Sequence, residues 1–357
     1  MRDRTAESVR ASFERQAAAC RDLGSPFTAW LCETLIEALD PTSPLGARVL
    51  DWPGDPTAAG DAVALRLCGG LQAIALAGED AALAALFGAA EPSTAGRRAV
   101  AGALDAHAAK LDAALDRAPQ TNEVARTAAI WPALRLVAAR TGLPLALWEL
   151  GASAGLALSL DRFAYRLGTL DAGTPGSSLR LAPDWRGPPP GGVEPVIAEA
   201  TGCDLAPIDP TEAAARRRLR SYVWADQPER RARLDAALAI AAARPPRVER
   251  ADAVDWLARR LALPCPGLAR VVFSTIAWQY LPPARRTAGE AAIRAAGARA
   301  CATAPLAGVR FEADGGAPGA GLTLDLWPGG RHERLARGDF HGRWVVWHAS
   351  ESFETTP

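Results

Sequence analysis

Between Leu143 and Gly155 the chain runs apolar, ends on a carboxylate and then turns on glycines. Leu143 to Leu150 is a short apolar run, closed by Glu149-Leu-Gly151-Ala-Ser153-Ala-Gly155. Glycines belong where a backbone bends sharply or comes close to a ligand. A second apolar run follows, so the segment reads as strand, glycine turn, helix. From residue 143 onward strand and helix patterns alternate. That alternation predicts an α/β fold with a mainly parallel sheet, since parallel strands need crossover connections.

The chain before this point reads differently. Val9, Phe13, Ala17 and Cys20 recur at helical spacing, as do Phe27, Trp30, Leu31, Leu35 and Leu39 after Ser25-Pro26. Helical patterns resume over 61–90 and 97–116. The expected division is an all-helical N-terminal region, 1–118, and an α/β domain, 119–357. A helix is expected over 122–141, with Thr121 or Asn122 as N-cap, Pro132 as a kink and Gly142 just past its end. Residues 164–198, rich in proline and glycine, read as an irregular insertion. A strand is expected to end at Gly202-Cys203-Asp204. Helices are expected from Asp209 to about 224, from Asp226 to about 243, over 253–262 and over 289–300. Further strands are expected near 247–253, 269–276, 309–312, 321–327 and 344–348.

Bulk properties narrow the function. The 357 residues carry 40 basic and 40 acidic side chains, for a formal net charge of zero. That balance argues against a nucleic-acid partner. No long uncharged apolar run predicts a membrane span, and Met1 to Arg15 lacks a signal peptide's apolar stretch, so a cytoplasmic location is expected. Six cysteines (20, 32, 68, 203, 265, 301) form no CxxC pair, and four histidines (107, 332, 341, 348) lack HExxH spacing. No metal site is expected.

Glu149, Gly151 and Gly155 resemble motif I of S-adenosylmethionine-dependent methyltransferases, acidic-x-Gly-x-Gly-x-Gly, with Ser153 in place of the middle glycine. The resemblance implies a Rossmann-like sheet. It implies that the Gly151–Gly155 turn approaches the cofactor and that Glu149 meets its methionine end. Asp204 resembles the acidic residue that ends the second strand and bonds the ribose. Asp252 resembles the polar position after the third strand, beside the adenine. Val271–Pro282 resembles the fourth strand and its loop facing methyl transfer, with Ser274 and Thr275 near the methionine part. Asp204 lies much further from Gly155 than the spacing of about 20 usual in a simple dinucleotide unit. As a whole the chain also resembles a bacterial family known only as a domain of unknown function. The segments that carry this are Pro119–Val124, Glu149–Gly155, Gly202–Asp209 and Trp278-Gln-Tyr-Leu281.

The leading expectation is thus an S-adenosylmethionine-binding, methyltransferase-like protein acting on a small molecule. Asn122 and Glu123 would border the substrate pocket or simply cap their helix. Trp278 and Gln279 would stack on and orient a planar ligand, or serve the core. Thr275, Gln279, Tyr280 and His341 are the catalytic candidates; His341 is the general-base candidate because an unperturbed imidazole titrates near pH 6.5. Arg216–Arg220 and Arg230–Arg233 read as solvated helix faces or as anion attractors. One alternative is an α/β-hydrolase. Gly151-Ala-Ser153-Ala-Gly155 fits its nucleophile elbow, with Asp252 or Asp255 and then His332, His341 or His348 completing a triad. Another is a Rossmann-like nucleotide-binding protein without catalysis.

Overall fold

The computed structural model describes residues 2–263, 265–348 and 352–353. The chain divides into two compact units: Met1–Thr121 with Glu212–Ala232, and Asn122–Thr211 with Arg233–Pro357.

The first unit is helical among the described residues. Its helices are α1 (Arg2–Asp22), α2 (Pro26–Ala38), α3 (Pro44–Leu50), α4 (Val63–Leu76), α5 (Ala81–Ala89), α6 (Thr94–Ala106) and α7 (Ala108–Leu115). The residues at helical spacing point inward: Phe13, Phe27, Leu31, Leu35, Leu67 and Leu71 are all buried in one core. Ser25 caps α2 as its position before Pro26 implies, accepting from Thr28 N at 3.2 Å. No single helix among the described residues is long and apolar enough to cross a membrane.

Residues 212–232 join this unit by a route that periodicity does not show. Asp226, expected to open its own helix, instead accepts from Phe27 N at 2.9 Å and from the Ser25 hydroxyl at 2.5 Å. It completes the start of α2, and the following helix, α10 (Pro228–Ala243), begins only after it. Likewise Asp209 makes a local turn with Thr211, and the helix expected from it, α9 (Ala213–Ser221), starts only at Ala213.

The second unit holds the sheet. In chain order its long path comprises β1 (Leu145–Leu150), β2 (Ile197–Asp204), β3 (Val248–Arg250), β4 (Ala269–Thr275), β5 (Leu306–Glu312), β6 (Ala320–Trp327), β7 (Arg331–Gly338) and β8 (Trp344–Trp347). Their spatial order is β3-β2-β1-β4-β5-β6-β7-β8, with Asp184–Arg186 added beside β8. The first five strands run parallel; β6, β7 and β8 follow as an antiparallel meander. The two outermost strands of this path, Val248–Arg250 and Asp184–Arg186, are three residues each.

This is a mixed α/β unit with a large, mainly parallel sheet. β1 is buried throughout and lies between β2 and β4, so chain order reverses direction at its edge. α8 (Thr127–Thr141) contacts β4 to β7, while α11 (Ala253–Leu261) and α12 (Pro283–Gly297) pack on each other. Trp148, Leu150, Trp256, Leu257, Val272, Ile293 and Leu306 share the core on the α11–α12 side.

Three local expectations need correction. The helix expected over 122–141 begins as a 3₁₀ turn, Val124–Arg126, before α8. Asn122 does not cap it; its Oδ1 accepts from Leu156 N at 2.9 Å. The apolar run after Gly155 is a short 3₁₀ segment, Leu156–Arg162, broken at Ser159. Leu156 to Leu160 are all buried, so the run lacks the polar face of a surface helix. The supposed irregular insertion is ordered: Ala164–Leu167, Leu170–Gly173 and Arg180–Leu181 form a three-stranded sheet.

Asp226→Ala should lower the stability of the helical unit by about 1–2 kcal/mol, the cost of losing two charge-assisted hydrogen bonds at the start of α2. Urea unfolding followed by helical ellipticity checks this; a change within about 0.5 kcal/mol would show the contact to be idle.

Candidate functional site

The carboxyl ends of the parallel strands gather the chemistry-bearing side chains. The turn after β1 has three left-handed residues in five: Gly151 (φ +69°), Ser153 (φ +53°) and Gly155 (φ +68°). A side chain at Gly151 would come within 2.6 Å of Ala277 Cβ, so the turn touches the loop after β4. A side chain at Gly155 would strike Val248 at 2.7 Å. Ser153, between the two glycines, therefore keeps a glycine-like backbone. It is held there from both sides. Its N–H donates to Asp204 Oδ2 at 2.8 Å and its carbonyl accepts from Ile208 N at 3.1 Å.

Glu149, the penultimate residue of β1, is 2% exposed, and its Oε2 has no hydrogen-bond partner. Burial disfavours its charged form, the neighbouring charge of Asp204 adds to that, and Arg126 partly opposes both. The carboxyl is pushed up to about 8. The Ser153 Oγ is also buried and unpartnered.

Arg126 was not singled out from sequence, yet it holds the site together. It is buried at the end of the 3₁₀ turn. Its guanidinium donates to the Phe340 carbonyl at 2.8 Å and to the Thr275 carbonyl at 3.2 Å. It thereby joins the end of β4 to the loop before β8. Its charge lowers the proton affinity of both Glu149 and Glu312. Glu312 was missed as well. It ends β5 and accepts from Ala277 N (3.2 and 3.1 Å) and Trp278 N (3.2 Å), fixing the loop after β4. Burial raises its pKa against the opposing pull of the Ser274 hydroxyl and those two amides. In that loop Ile276 sits at φ +52°. A β-branched residue there is strained, which requires the surroundings to over-determine it.

The remaining candidates divide. Ser274 is 1% exposed at the end of β4, and Thr275 offers its carbonyl to Arg126. Gln279 keeps a buried, unpartnered Oε1, while Tyr280 is 57% exposed. Trp278 is in the core with Trp148 and Trp256, its ring close against Gly289. Glu123 caps the 3₁₀ turn through Ala125 N (3.1 Å) and pairs with Arg233 at 3.6 Å. Asp204 also accepts from Ala206 N at 2.8 Å. Asp252 caps α11 through Val254 N and Asp255 N, and its carboxylate is engaged by Arg285. His341 is 8% exposed, in a loop whose Asp339 accepts from His341 N and from the Arg343 guanidinium. Glu149, Ser153, Asp204, Ser274, Arg126 and Glu312 thus share one end of the sheet; Tyr280 faces solvent. No sequence pattern flags Arg126 or Glu312, because each gains its meaning only from strand order.

The raised pKa of Glu149 has a stability consequence. The folded state holds this proton where the unfolded chain has released it, so stability falls as pH rises from the unfolded value of about 4.5 to about 8. Glu149→Gln should abolish that part of the fall. Measured against the parent between pH 6 and pH 8, the variant should gain about 2 kcal/mol at the higher pH. Denaturant unfolding across that range checks it, and parallel pH profiles would refute it.

No curated protein and no solved structure matches the chain. A family model described as "Uncharacterized protein conserved in bacteria (DUF2332)" matches residues 10–347. The match spans nearly the whole chain, which therefore belongs to that bacterial family of uncharacterized proteins.

Proposed function

We propose that the second unit is a Rossmann-like, methyltransferase-type domain that binds S-adenosylmethionine and serves a small-molecule acceptor. The observation that carries this is the buried, unpartnered Glu149 Oε2 at the end of the first strand, beside a turn with a glycine-like backbone at Ser153. Ligands of open α/β sheets lie beyond the strand carboxyl ends, where strand order reverses. β1 is both the first strand of the parallel block and central to it.

The residues fit the cofactor's chemistry. A buried carboxyl with an unused lone pair suits an ammonium donor, which would restore its charged form. Asp204 would meet the ribose, Asp252 would border the adenine, and the turn's closeness to Ala277 would limit the space above β1. The 3₁₀ segment after the turn also supports this reading over a dinucleotide. A pyrophosphate is held by a helix N-terminus, which a short 3₁₀ segment does not supply. Bound S-adenosylmethionine would supply an electrophilic methyl group. The chain's own part is alignment and exclusion of water, so a strong general base is not required.

Titration calorimetry with S-adenosylmethionine should show saturable binding that Glu149→Ala and Asp204→Asn weaken at least tenfold, on the order of one lost charge-assisted hydrogen bond. Binding at pH 7 should release a proton, because Glu149 passes from neutral to ionised. Heats measured in buffers of different ionisation enthalpy read this directly. Absence of binding at millimolar cofactor would sink the proposal, and binding with no proton release would remove Glu149 from it.

One observation favours a second reading. Ser153 has the strained left-handed backbone of a nucleophile elbow. Against it, the Ser153 hydroxyl has no hydrogen-bond partner, and both Asp252 and Asp255 are paired with Arg285. An activated serine needs an adjacent base. Covalent labelling of Ser153 by a fluorophosphonate, lost in Ser153→Ala, is the result this alternative demands.

A further inference from the structure

The sheet has a second recess, away from the Glu149 side. Successive side chains of a strand face opposite ways, so Leu150 lines the face that Glu149 does not. There a cleft of about 410 Å³ opens between α12 and the sheet face formed by β4, β5 and β6. That volume lies within the range of small-molecule sites, about 300–1,000 Å³.

Its floor is built for access. Gly308 stands in the interior of β5, and an added Cβ would meet nothing nearer than Asp325 Oδ2 at 3.5 Å. Glycine inside a strand forfeits packing and marks a place where another group comes close. Trp278 and Trp327 both line the cleft, and the indole N–H of Trp278 is buried without a partner. Buried donors are nearly always satisfied, so an orphan at a cleft wall asks for a ligand.

The polar groups are pre-set. Asp325 receives the Arg310 guanidinium on Oδ2 at 2.9 Å and His332 Nδ1 on Oδ1 at 2.6 Å. Arg310 also lies 3.7 Å from Glu290. In the tautomer whose Nδ1–H donates to Asp325, Nε2 is left as an acceptor. Arg294, on exposed α12 surface at the rim, makes no ion pair among the described residues. The cleft therefore offers flat aromatic walls, one fixed acceptor and one uncommitted cation.

We propose that this cleft is a binding site for a small aromatic acid that carries a ring hydroxyl. The ring would lie against the tryptophans over Gly308. The hydroxyl would donate to His332 Nε2, and the carboxylate would meet Arg294. The cleft lies on the sheet face opposite Glu149, with Ser274 and Trp278 at the border between the two sites, and nothing in this proposal requires S-adenosylmethionine.

The probe is 4-hydroxybenzoate, titrated into the full chain and followed by tryptophan fluorescence and by calorimetry, without S-adenosylmethionine. Saturation below about 1 mM is expected. Arg294→Ala should weaken 4-hydroxybenzoate about tenfold yet leave neutral 4-hydroxybenzamide unchanged. His332→Phe should erase the advantage of 4-hydroxybenzoate over benzoate. Gly308→Val should abolish binding; if it fails to fold, the exposed Arg294 variant still decides. No saturable signal, or equal weakening of acid and amide by Arg294→Ala, overturns the proposal. So does undiminished binding in a folded Gly308→Val variant.

Discussion

Putting the Glu149 carboxyl out of water at the end of the central strand sets the terms for everything around it. An ionised carboxylate there is costly unless something answers it. The nearest acidic neighbour, Asp204, makes matters worse, and it cannot move because it holds the backbone of the turn at Ser153. The answer comes from Arg126, whose guanidinium donates to two carbonyls and whose charge favours the ionised form of both Glu149 and Glu312.

The loop after β4 follows from the same arrangement. Its amides are gathered by Glu312, its first residue is strained at Ile276, and its Ala277 packs against the space above Gly151. Strain of this kind persists only under strong local constraint. Here the constraint is visible in Ile276 N, which donates to the Phe311 carbonyl at 2.9 Å, and in the two amides bound by Glu312. The loop and the glycine turn are thereby held against each other at the carboxyl end of β1.

Much of this was legible in the sequence because it is periodic. The helical repeat of residues 9–39, the apolar run of β1 and the alternation of later strands each report a local backbone choice. The carboxylates at strand ends, Glu149 and Asp204, were readable because they follow such runs directly. What stayed hidden depends on distant partners. Asp226 looks like the start of its own helix until Ser25 and Phe27 are brought to it. Arg126 looks like an ordinary helix arginine until Phe340 and Thr275 meet it, from segments more than 140 residues away. Residues 331–338 carry charge at 331, 333, 334 and 337 and so lack a strand's usual apolar alternation, yet they pair along β6 as β7. The proline- and glycine-rich stretch after Leu160 hid a small sheet because its strands are only two to four residues long.

The short outer strands carry one more consequence. Any open sheet exposes unpaired amides and carbonyls that can recruit another chain edge to edge. At one side the edge is Val248-Glu249-Arg250, with Glu249 tied to Arg259 and Arg260. At the other it is Asp184-Trp185-Arg186, whose two charged residues pair with each other. Three residues form too few hydrogen bonds to nucleate intermolecular pairing, and desolvating those charges opposes it further. Short length and charge thus blunt both of these outer strands as templates for aggregation.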